Sequence, residues 1–131
     1  MAKTALVTGA SSGIGREIAR DLSARGFRVI ISARREERLR ELAKELGDNT
    51  RVIVCDVSDR EECLRLYEET KNEKISVLVN CAGFGAVGSF DELPLDTELK
   101  MIDTNVTAVH MLTKLFLKDF VAADRGYIMN L

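Results

Sequence analysis

The sequence contains little of what marks membrane proteins, disulfide-rich proteins and metal-binding modules. It has no tryptophan, one proline and three cysteines among 131 residues, and it has no run of about 18 apolar residues that could cross a membrane. Because the cysteines are odd in number and form no C-x-x-C pair, we interpret Cys55, Cys63 and Cys81 as free thiols and predict no metal site. The 19 basic and 21 acidic side chains nearly cancel, so we expect neither nucleic acid nor a membrane as a partner.

What is present is enough apolar material for one folded domain. Hydrophobic residues make up 46% of the chain, and a chain of this length buries roughly two-thirds of the surface that it exposes when unfolded. We therefore expect residues 1–131 to form one domain. The first residues, Met1 to Lys3, lead directly into an apolar strand pattern without the long apolar core of a signal peptide, so we expect a cytoplasmic protein.

Short apolar segments alternate with segments of helical periodicity along the whole chain. The apolar segments predict strands at 4–8, 29–32, 51–55, 75–79 and 127–131, and the periodic segments between them predict helices. This alternation is typical of a parallel sheet whose two faces are covered by helices, because each parallel connection must cross over the sheet. We predict a doubly wound α/β fold.

Two helices carry more detailed predictions. Ser58, with Glu61 three residues later, has the pattern of a capping box, which predicts Ser58 as the cap of a helix N-terminus. The last helix, at 95–122, presents an apolar stripe that we expect to face the core, and we expect it to leave Met111 and Leu115 exposed beside that stripe. The stripe consists of Leu99, Ile102, Val106, Val109, Phe116 and Phe120.

A glycine-rich segment joins the first strand to its helix. Gly9 allows a tight turn, Gly13 lets a ligand approach the backbone, and Gly15 allows the helix to pack closely on the strand. The N–H groups at the start of such a helix can bind a diphosphate. The simpler alternative is that the glycines form only a turn. The residues of this segment predicted to bind the ligand are Gly9, Ser11, Ser12, Gly13, Ile14 and Gly15.

Four elements in a fixed order connect this sequence with a known family. The glycine spacing is G-x-x-x-G-x-G after Thr8, and it is followed by Asp56, by the segment Asn80-Cys81-Ala82-Gly83 and by Asn105. In this combination the sequence resembles the short-chain dehydrogenase/reductase superfamily over the whole chain, and its broad-specificity bacterial branch more loosely. Extended nucleotide-sugar epimerases have a related fold, but their G-x-x-G-x-x-G spacing does not match this segment.

The resemblance implies a Rossmann-type sheet with strand order 3-2-1-4-5 and hydride transfer between a nicotinamide dinucleotide and a carbonyl or alcohol substrate. It implies that Asp56 and the Val57 backbone bind the adenine edge. The alternative, that Asp56 caps the next helix, is disfavoured because Ser58 already has the capping position. It also implies a catalytic role for Asn105, which would open its helix and hold a water of the proton relay on its backbone carbonyl.

The resemblance also assigns the residues after the fourth strand to the cofactor site. Asn80 would brace the glycine turn and the neighbouring strands through its amide, and Ala82 and Gly83 would line the site. The family usually has a second asparagine where this chain has Cys81, and we expect this thiol to be buried and unreactive because no basic neighbour activates it. His110 has no partner at helical spacing and is expected to be structural.

The residues after the second strand predict which dinucleotide binds. An NAD site places an acidic side chain about 20 residues beyond the glycines, but this chain has Ala33 there, followed by Arg34 and Arg35. Because a guanidinium matches a 2′-phosphate in charge and geometry, we predict NADP in preference to NAD. The alternative is that the two arginines merely begin a charged helix whose next residues are Glu36 and Glu37.

The catalytic serine and the Tyr-x-x-x-Lys pair of the family are expected after the fifth strand, beyond Leu131. Tyr67 and Lys71 have the required spacing, but they lie on a helix that returns to the amino edge of the sheet, and Tyr127 begins a buried strand. The leading hypothesis is the NADP-binding amino-terminal half of a short-chain oxidoreductase, expected to be a homo-oligomer because its last strand is an open edge. The alternative is a non-catalytic dinucleotide-binding or interaction module.

Overall fold

The computed structural model describes residues 3–131 and consists of a parallel sheet with helices on both faces. Within the described residues, no helix is both long and apolar enough to cross a membrane. The strands are β1 (Thr4–Thr8), β2 (Arg28–Ala33), β3 (Arg51–Val54), β4 (Ile75–Asn80) and β5 (Tyr127–Asn130). The helices are α1 (Gly13–Ala24), α2 (Glu36–Leu46), α3 (Arg60–Thr70), α4 (Leu95–Ile102) and α5 (Ala108–Ala123). The strands pair in the order β3-β2-β1-β4-β5, which confirms the predicted fold and strand order.

The two faces of the sheet form separate apolar cores because side chains alternate along each strand. On one face, Leu6 of β1 packs in a cluster with Phe116 of α5 and residues of α3. On the other face, Val7 packs in a cluster with Leu39 of α2 and residues of α1. Every residue of β1 is buried, as a central strand with neighbours on both sides and helices on both faces requires.

The helix predicted at 95–122 is interrupted by a π-helical turn. This turn, Asp103–Thr107, joins α4 to α5, and such wide turns are often found at functional sites. After the turn, the residues that face the sheet recur at a spacing of four. The buried residues of this region are Thr104, Ala108, Leu112, Phe116 and Phe120.

The core stripe predicted for this region is wrong in its first half. Its first three members are about half exposed, its fourth is half-buried, and only its last two are buried. Met111 and Leu115, predicted to be exposed, are half-buried. The region carries two apolar stripes of similar spacing, and periodicity alone cannot tell which of them faces the sheet. The exposed members are Leu99, Ile102 and Val106, the half-buried member is Val109, and the buried members are Phe116 and Phe120.

The predicted capping box of Ser58 and Glu61 does not form. α3 begins at Arg60, and its N-cap is Asp59, whose carboxylate accepts a hydrogen bond of 2.9 Å from the Glu61 N–H. Ser58 instead donates both its N–H and its hydroxyl to Asp56. Aspartate caps a helix as well as serine does, so adjacent candidates compete and the sequence pattern alone does not decide between them.

β5 differs from the other strands in its exposure. It pairs with β4, and none of the described elements lies on its other side. Tyr127, predicted to begin a buried strand, is 72% exposed, and Met129 is 47% exposed. The prediction is wrong because strand burial depends on the neighbours of a strand as well as on its own apolar residues.

Candidate functional site

The carboxyl ends of the strands open into a cleft of about 540 Å³. The turn between β1 and α1, the end of β2, the residues that follow β3 and β4, and the π-helical turn surround it. Every predicted site residue except Asn80 lines this cleft. The predicted residues that line it are Gly9, Ser11, Ser12, Gly13, Ile14, Gly15, Arg34, Arg35, Asp56, Val57, Ala82, Gly83 and Asn105.

The glycine turn brings three chain segments into close backbone contact. Gly9 has a φ of +65°, and a Cβ at this position would lie 2.6 Å from the Ala82 nitrogen. A Cβ at Gly15 would lie 2.3 Å from the Gly9 carbonyl oxygen. Gly13 has a φ of +57° but faces open space. The turn therefore requires glycine for packing at two positions and for backbone conformation at Gly9 and Gly13.

The N-terminus of α1 is open toward the cleft. Ser12 is the N-cap residue, but its side chain makes no capping hydrogen bond, and the first turn of α1 contains no acidic residue. The first N–H groups of a helix have no partner within the helix and carry a partial positive charge. This end of α1 can therefore accept an anionic group from the cleft.

Thr8 connects the glycine turn to the end of β4, and this connection was not predicted. Its hydroxyl donates to the Val79 carbonyl at 3.3 Å and accepts from the N–H groups of Cys81 at 3.1 Å and Ala82 at 3.3 Å. Because Thr8 is buried, these bonds satisfy backbone groups that few other partners could reach. The threonine before the first glycine was the sequence signal for this role.

The end of β2 presents positive charge to the cleft. Arg34 and Arg35 are both exposed, and the guanidinium of Arg35 donates to the Ser12 hydroxyl at 3.4 Å. α2 begins immediately afterwards with two glutamates in its first turn. The two arginines thus line the cleft and also immediately precede a charged helix.

Asp56 is the only carboxylate among the residues that line the cleft in the described chain. One of its oxygens, Oδ1, accepts hydrogen bonds from the Ser58 N–H at 3.0 Å and from the Ser58 hydroxyl at 2.7 Å. Burial alone would raise the pKa of this carboxyl, but the bonds from Ser58 and the charges of Arg34 and Lys100 outweigh burial and lower the pKa below its usual range. Asp56 is therefore an ionised acceptor at neutral pH.

Asn80 is not among the residues that line the cleft, and its side-chain hydrogen bonds do not reach the glycine turn. It is buried, and its side-chain amide donates to the Thr113 hydroxyl at 3.2 Å and to the Asn130 side-chain oxygen at 2.8 Å. The implied contact with a neighbouring strand is present in the bond to β5, but the implied brace to the glycine turn is not among the hydrogen bonds of Asn80, and Thr8 makes the connection between β1 and the segment after β4. The Asn80 Oδ1 atom has no hydrogen-bond partner among the described residues.

Asn105 holds the segment that follows β4. It lies in the π-helical turn, where its Oδ1 accepts from the Phe84 N–H at 3.0 Å and its amide donates to the Phe84 carbonyl at 2.8 Å. A Cβ at Gly83 would lie 2.9 Å from the same Oδ1 atom. The side chain of Asn105 thus fixes one wall of the cleft.

Some residues that line the cleft were not predicted. Each of them stands near a predicted site residue in the sequence or at the end of a strand, and that adjacency was the available signal. The Ser32 hydroxyl is buried without a hydrogen-bond partner among the described residues. Cys81, expected to be buried, is half-buried, and burial raises the pKa of its thiol. The lining residues that were not predicted as site residues are Ser32, Ala33, Cys55, Cys81, Phe84, Thr104 and Leu131.

The two tyrosines lie outside the cleft. The Tyr67 hydroxyl donates to the Asp119 carboxylate at 2.7 Å, and this bond, together with burial, raises the pKa of Tyr67 to about 12. Its ring makes an edge-to-face contact with Phe116 at 5.1 Å. Tyr67 therefore connects α3 to α5, and Tyr127 is exposed on β5.

Comparison with known proteins identifies the family of this chain. The sequence profile described as "short chain dehydrogenase" matches residues 3–131. The chain belongs to this family of oxidoreductases.

Several relatives show how far the similarity extends. An uncharacterized oxidoreductase of Staphylococcus saprophyticus is 36% identical over 98% of this chain and 58% of its own length. A 3-oxoacyl-[acyl-carrier-protein] reductase of Rickettsia prowazekii is 38% identical over 98% of this chain and 53% of its own length. The solved structure of a metagenomic short-chain oxidoreductase in complex with NADP matches 98% of this chain and 60% of its own with a TM-score of 0.92 and 34% identity. The chain thus spans about half the length of these relatives.

Proposed function

We propose that the cleft binds NADP(H) and that the chain is the NADP-binding part of an oxidoreductase acting on a small carbonyl or alcohol substrate. The observation that carries this proposal is the pair Arg34 and Arg35 at the cleft wall, next to Ala33 where an NAD site would have an acidic side chain. Similar proteins have been solved with NADP and with NADPH, which supports the same cofactor here.

Different residues of the cleft would bind different parts of the dinucleotide. The open N-terminus of α1, at Gly13, would hold the diphosphate, and Arg34 would bind the 2′-phosphate through a charge-assisted contact. Asp56 would accept a hydrogen bond from the adenine amino group, with the Val57 backbone beside it. Ala82 and Gly83 would line the opposite wall, toward Asn105.

The bound cofactor supplies the hydride, so the protein must supply a proton donor or acceptor. Among the described residues that line the cleft there is no tyrosine, lysine or histidine. Asn105 can hold one part of a proton relay, but its amide does not act as a general acid or base near neutral pH. We therefore expect residues 1–131 to bind the cofactor without turning over a substrate at an enzyme-like rate.

The cofactor preference is tested by titrating NADPH and NADH into the chain and its variants. Arg34→Asp should weaken NADPH binding more than NADH binding by at least about tenfold, or about 1.4 kcal/mol, because it removes a cation and adds a repelling carboxylate. Arg40→Asp is the matched control, since Arg40 is an exposed arginine of α2 that pairs with Glu36 outside the cleft. Equal losses for both cofactors in Arg34→Asp would contradict the assignment.

A second candidate function is a non-catalytic dinucleotide-binding or interaction module, for which the glycine turn, the arginines and Asp56 that line the cleft would be sufficient. An NADPH oxidation assay with aldehydes, ketones and diketones separates the two candidates. Turnover that survives Tyr67→Phe and disappears in Asn105→Ala would show that the cleft catalyses hydride transfer with these residues alone, and it would contradict our account of the chemistry.

We also propose that the chain forms a homo-oligomer, acting in the cytoplasm. α4, the π-helical turn and α5 expose a set of apolar side chains, and β5 has a partner strand on one side only among the described residues. Such surfaces favour association. Sedimentation should show a species larger than a monomer, and a monomer at high concentration would contradict the proposal. The exposed apolar side chains are those of Leu95, Leu99, Ile102, Val106, Leu117 and Val121.

A further inference from the structure

The carboxylate of Asp56 is held in a turn that uses one of its two oxygens. The Asp59 N–H donates to the Asp56 carbonyl at 3.1 Å, which closes the turn. Within this turn the Ser58 N–H and the Ser58 hydroxyl both donate to Asp56 Oδ1, at 3.0 and 2.7 Å. The second oxygen, Oδ2, accepts no hydrogen bond from the described residues. The carboxylate is therefore fixed with one occupied and one free oxygen.

Ser58 does not line the cleft itself, and it can influence the cleft only through its contacts with Asp56. Asp56 is one of the lining residues. The hydroxyl of Ser58 is not needed to start α3 either, because the Asp59 carboxylate caps that helix by accepting from the Glu61 N–H. Ser58 therefore acts on the cleft through its two hydrogen bonds to Asp56, which hold the Asp56 side chain in a single orientation.

The charge of Asp56 decides which ligand groups it can meet. Burial raises the pKa of Asp56, but the hydrogen bonds from Ser58 and then the positive charges of Arg34 and Lys100 lower it below its usual range, so the carboxylate is ionised at neutral pH. An ionised carboxylate accepts hydrogen bonds but donates none. Its free oxygen therefore attracts an amino group and repels a carbonyl oxygen at the same place.

We propose that Ser58 is a positioning residue that makes the cleft select a purine with a 6-amino group over a purine with a 6-oxo group. The inference rests on the proposed binding of a dinucleotide in this cleft. Without the Ser58 hydroxyl, only the backbone N–H of residue 58 holds Asp56 Oδ1, so the carboxylate gains rotational freedom that the amino group of the ligand must remove on binding. A 6-oxo purine does not use this contact, so its binding is not weakened by the same change.

The inference is tested with NADP⁺ and deamino-NADP⁺, in which an oxo group replaces the 6-amino group. Calorimetric titration of the unmodified chain should show NADP⁺ binding about tenfold or more tightly than deamino-NADP⁺. Ser58→Ala should reduce this preference about threefold or more, through weaker binding of NADP⁺ alone. Ser58→Thr keeps the hydroxyl and should restore the preference.

Asp59→Ala is the control for a purely structural effect. It removes the helix cap of α3 and lowers thermal stability, but it leaves both bonds from Ser58 to Asp56, so the preference should not change. If the role of Ser58 were merely structural, Ser58→Ala would weaken the binding of NADP⁺ and of deamino-NADP⁺ by the same factor. If Ser58→Ala does not fold, the same calorimetric titrations are made with Ser58→Gly, which also lacks the hydroxyl.

The outcomes separate this inference from the proposed function. A preference in the unmodified chain that persists in the variants without the hydroxyl overturns the role of Ser58 and leaves the proposed function standing. Equal binding of the two dinucleotides by the unmodified chain also overturns the inference alone. No binding of NADP⁺ overturns the proposed function, and the inference with it.

Discussion

The two ends of the sheet differ in how far apart in the sequence their polar contacts lie. At the end formed by β2 and β3, the Asp56 carboxylate is held by Ser58, two residues later in the chain. At the end formed by β4 and β5, the Asn80 amide donates to Thr113 and Asn130, which lie 33 and 50 residues later. Each end also leaves one buried polar atom without a hydrogen-bond partner among the described residues, Ser32 Oγ at the first and Asn80 Oδ1 at the second.

Burial also differs between the central strand β1 and the last strand, β5. Every residue of β1 is buried, but β5 has only one partly buried residue, Ile128, among its four. Both strands have apolar residues, so composition does not explain the difference. β1 has β2 and β4 as neighbours, and β5 has only β4 among the described elements. The position of a strand in the sheet, more than its own residues, decides how well it is covered.

The largest effect should come from the buried side of α5. Phe116 is 1% exposed and packs against Leu6 and Tyr67, so Phe116→Ala should reduce the free energy of unfolding by about 3–5 kcal/mol. Lys118, two residues further along α5, is exposed, and Lys118→Ala should change the free energy of unfolding by less than about 0.5 kcal/mol. Urea unfolding measures both, and similar losses would show that the two faces of α5 are not distinguished as described.

The glycine turn should tolerate no added atom at Gly9. Gly9→Ala combines a positive φ with a Cβ 2.6 Å from a backbone nitrogen, and we expect a loss of at least about 3 kcal/mol in the free energy of unfolding. Gly13→Ala has a similar φ but meets open space, so it should lose only about 1 kcal/mol. Chemical unfolding of the two variants checks this order, and the reverse order would disprove the close contact between β1 and β4.

A smaller effect should follow loss of the Thr8 hydroxyl. Thr8→Val keeps the shape of the side chain but leaves the N–H groups of Cys81 and Ala82 without this acceptor. We expect a loss of about 1–2 kcal/mol in the free energy of unfolding, and Thr8→Ser should recover most of it. If Thr8→Val were as stable as the unmodified chain, the connection between β1 and β4 would not depend on this hydroxyl.

The smallest effect at neutral pH concerns the cysteines. Burial raises the pKa of Cys55 to about 12 and that of Cys63 to about 11. Because these values lie above the ordinary thiol pKa of about 8.5, their contribution to stability is complete below about pH 8.5. It is lost as the pH rises toward about 11, since only the unfolded chain ionises these thiols readily.

Unfolding free energies measured between pH 7.5 and 10.5 check this dependence, and the double variant Cys55→Ala/Cys63→Ala should flatten it. In the folded chain at pH 8, a thiol reagent should modify the half-buried Cys81 before the two buried cysteines. Rapid modification of all three thiols without unfolding would contradict the burial of Cys55 and Cys63.

The sequence predicted the cleft well where its residues act through the backbone or at strand ends. The glycine spacing, Asp56 and the two arginines all follow a strand, and parallel strands bring their carboxyl ends to one edge. The prediction failed where a side chain had several possible partners. Ser58 resembled a helix cap but binds Asp56, and Asn80 braces β5 and α5 instead of the glycine turn.

The sequence by itself determined the alternation of strands and helices, and therefore the class of sheet, because periodicity and glycine conformation are local properties of the chain. Only the tertiary structure decided which stripe of α4 and α5 faces the sheet, that Thr8 connects β1 to β4, and that β5 is largely exposed within the described residues. These features depend on distances between segments that are remote in the sequence, such as the 73 residues between Thr8 and Cys81. Local patterns leave several such contacts possible, and packing of the whole sheet selects among them.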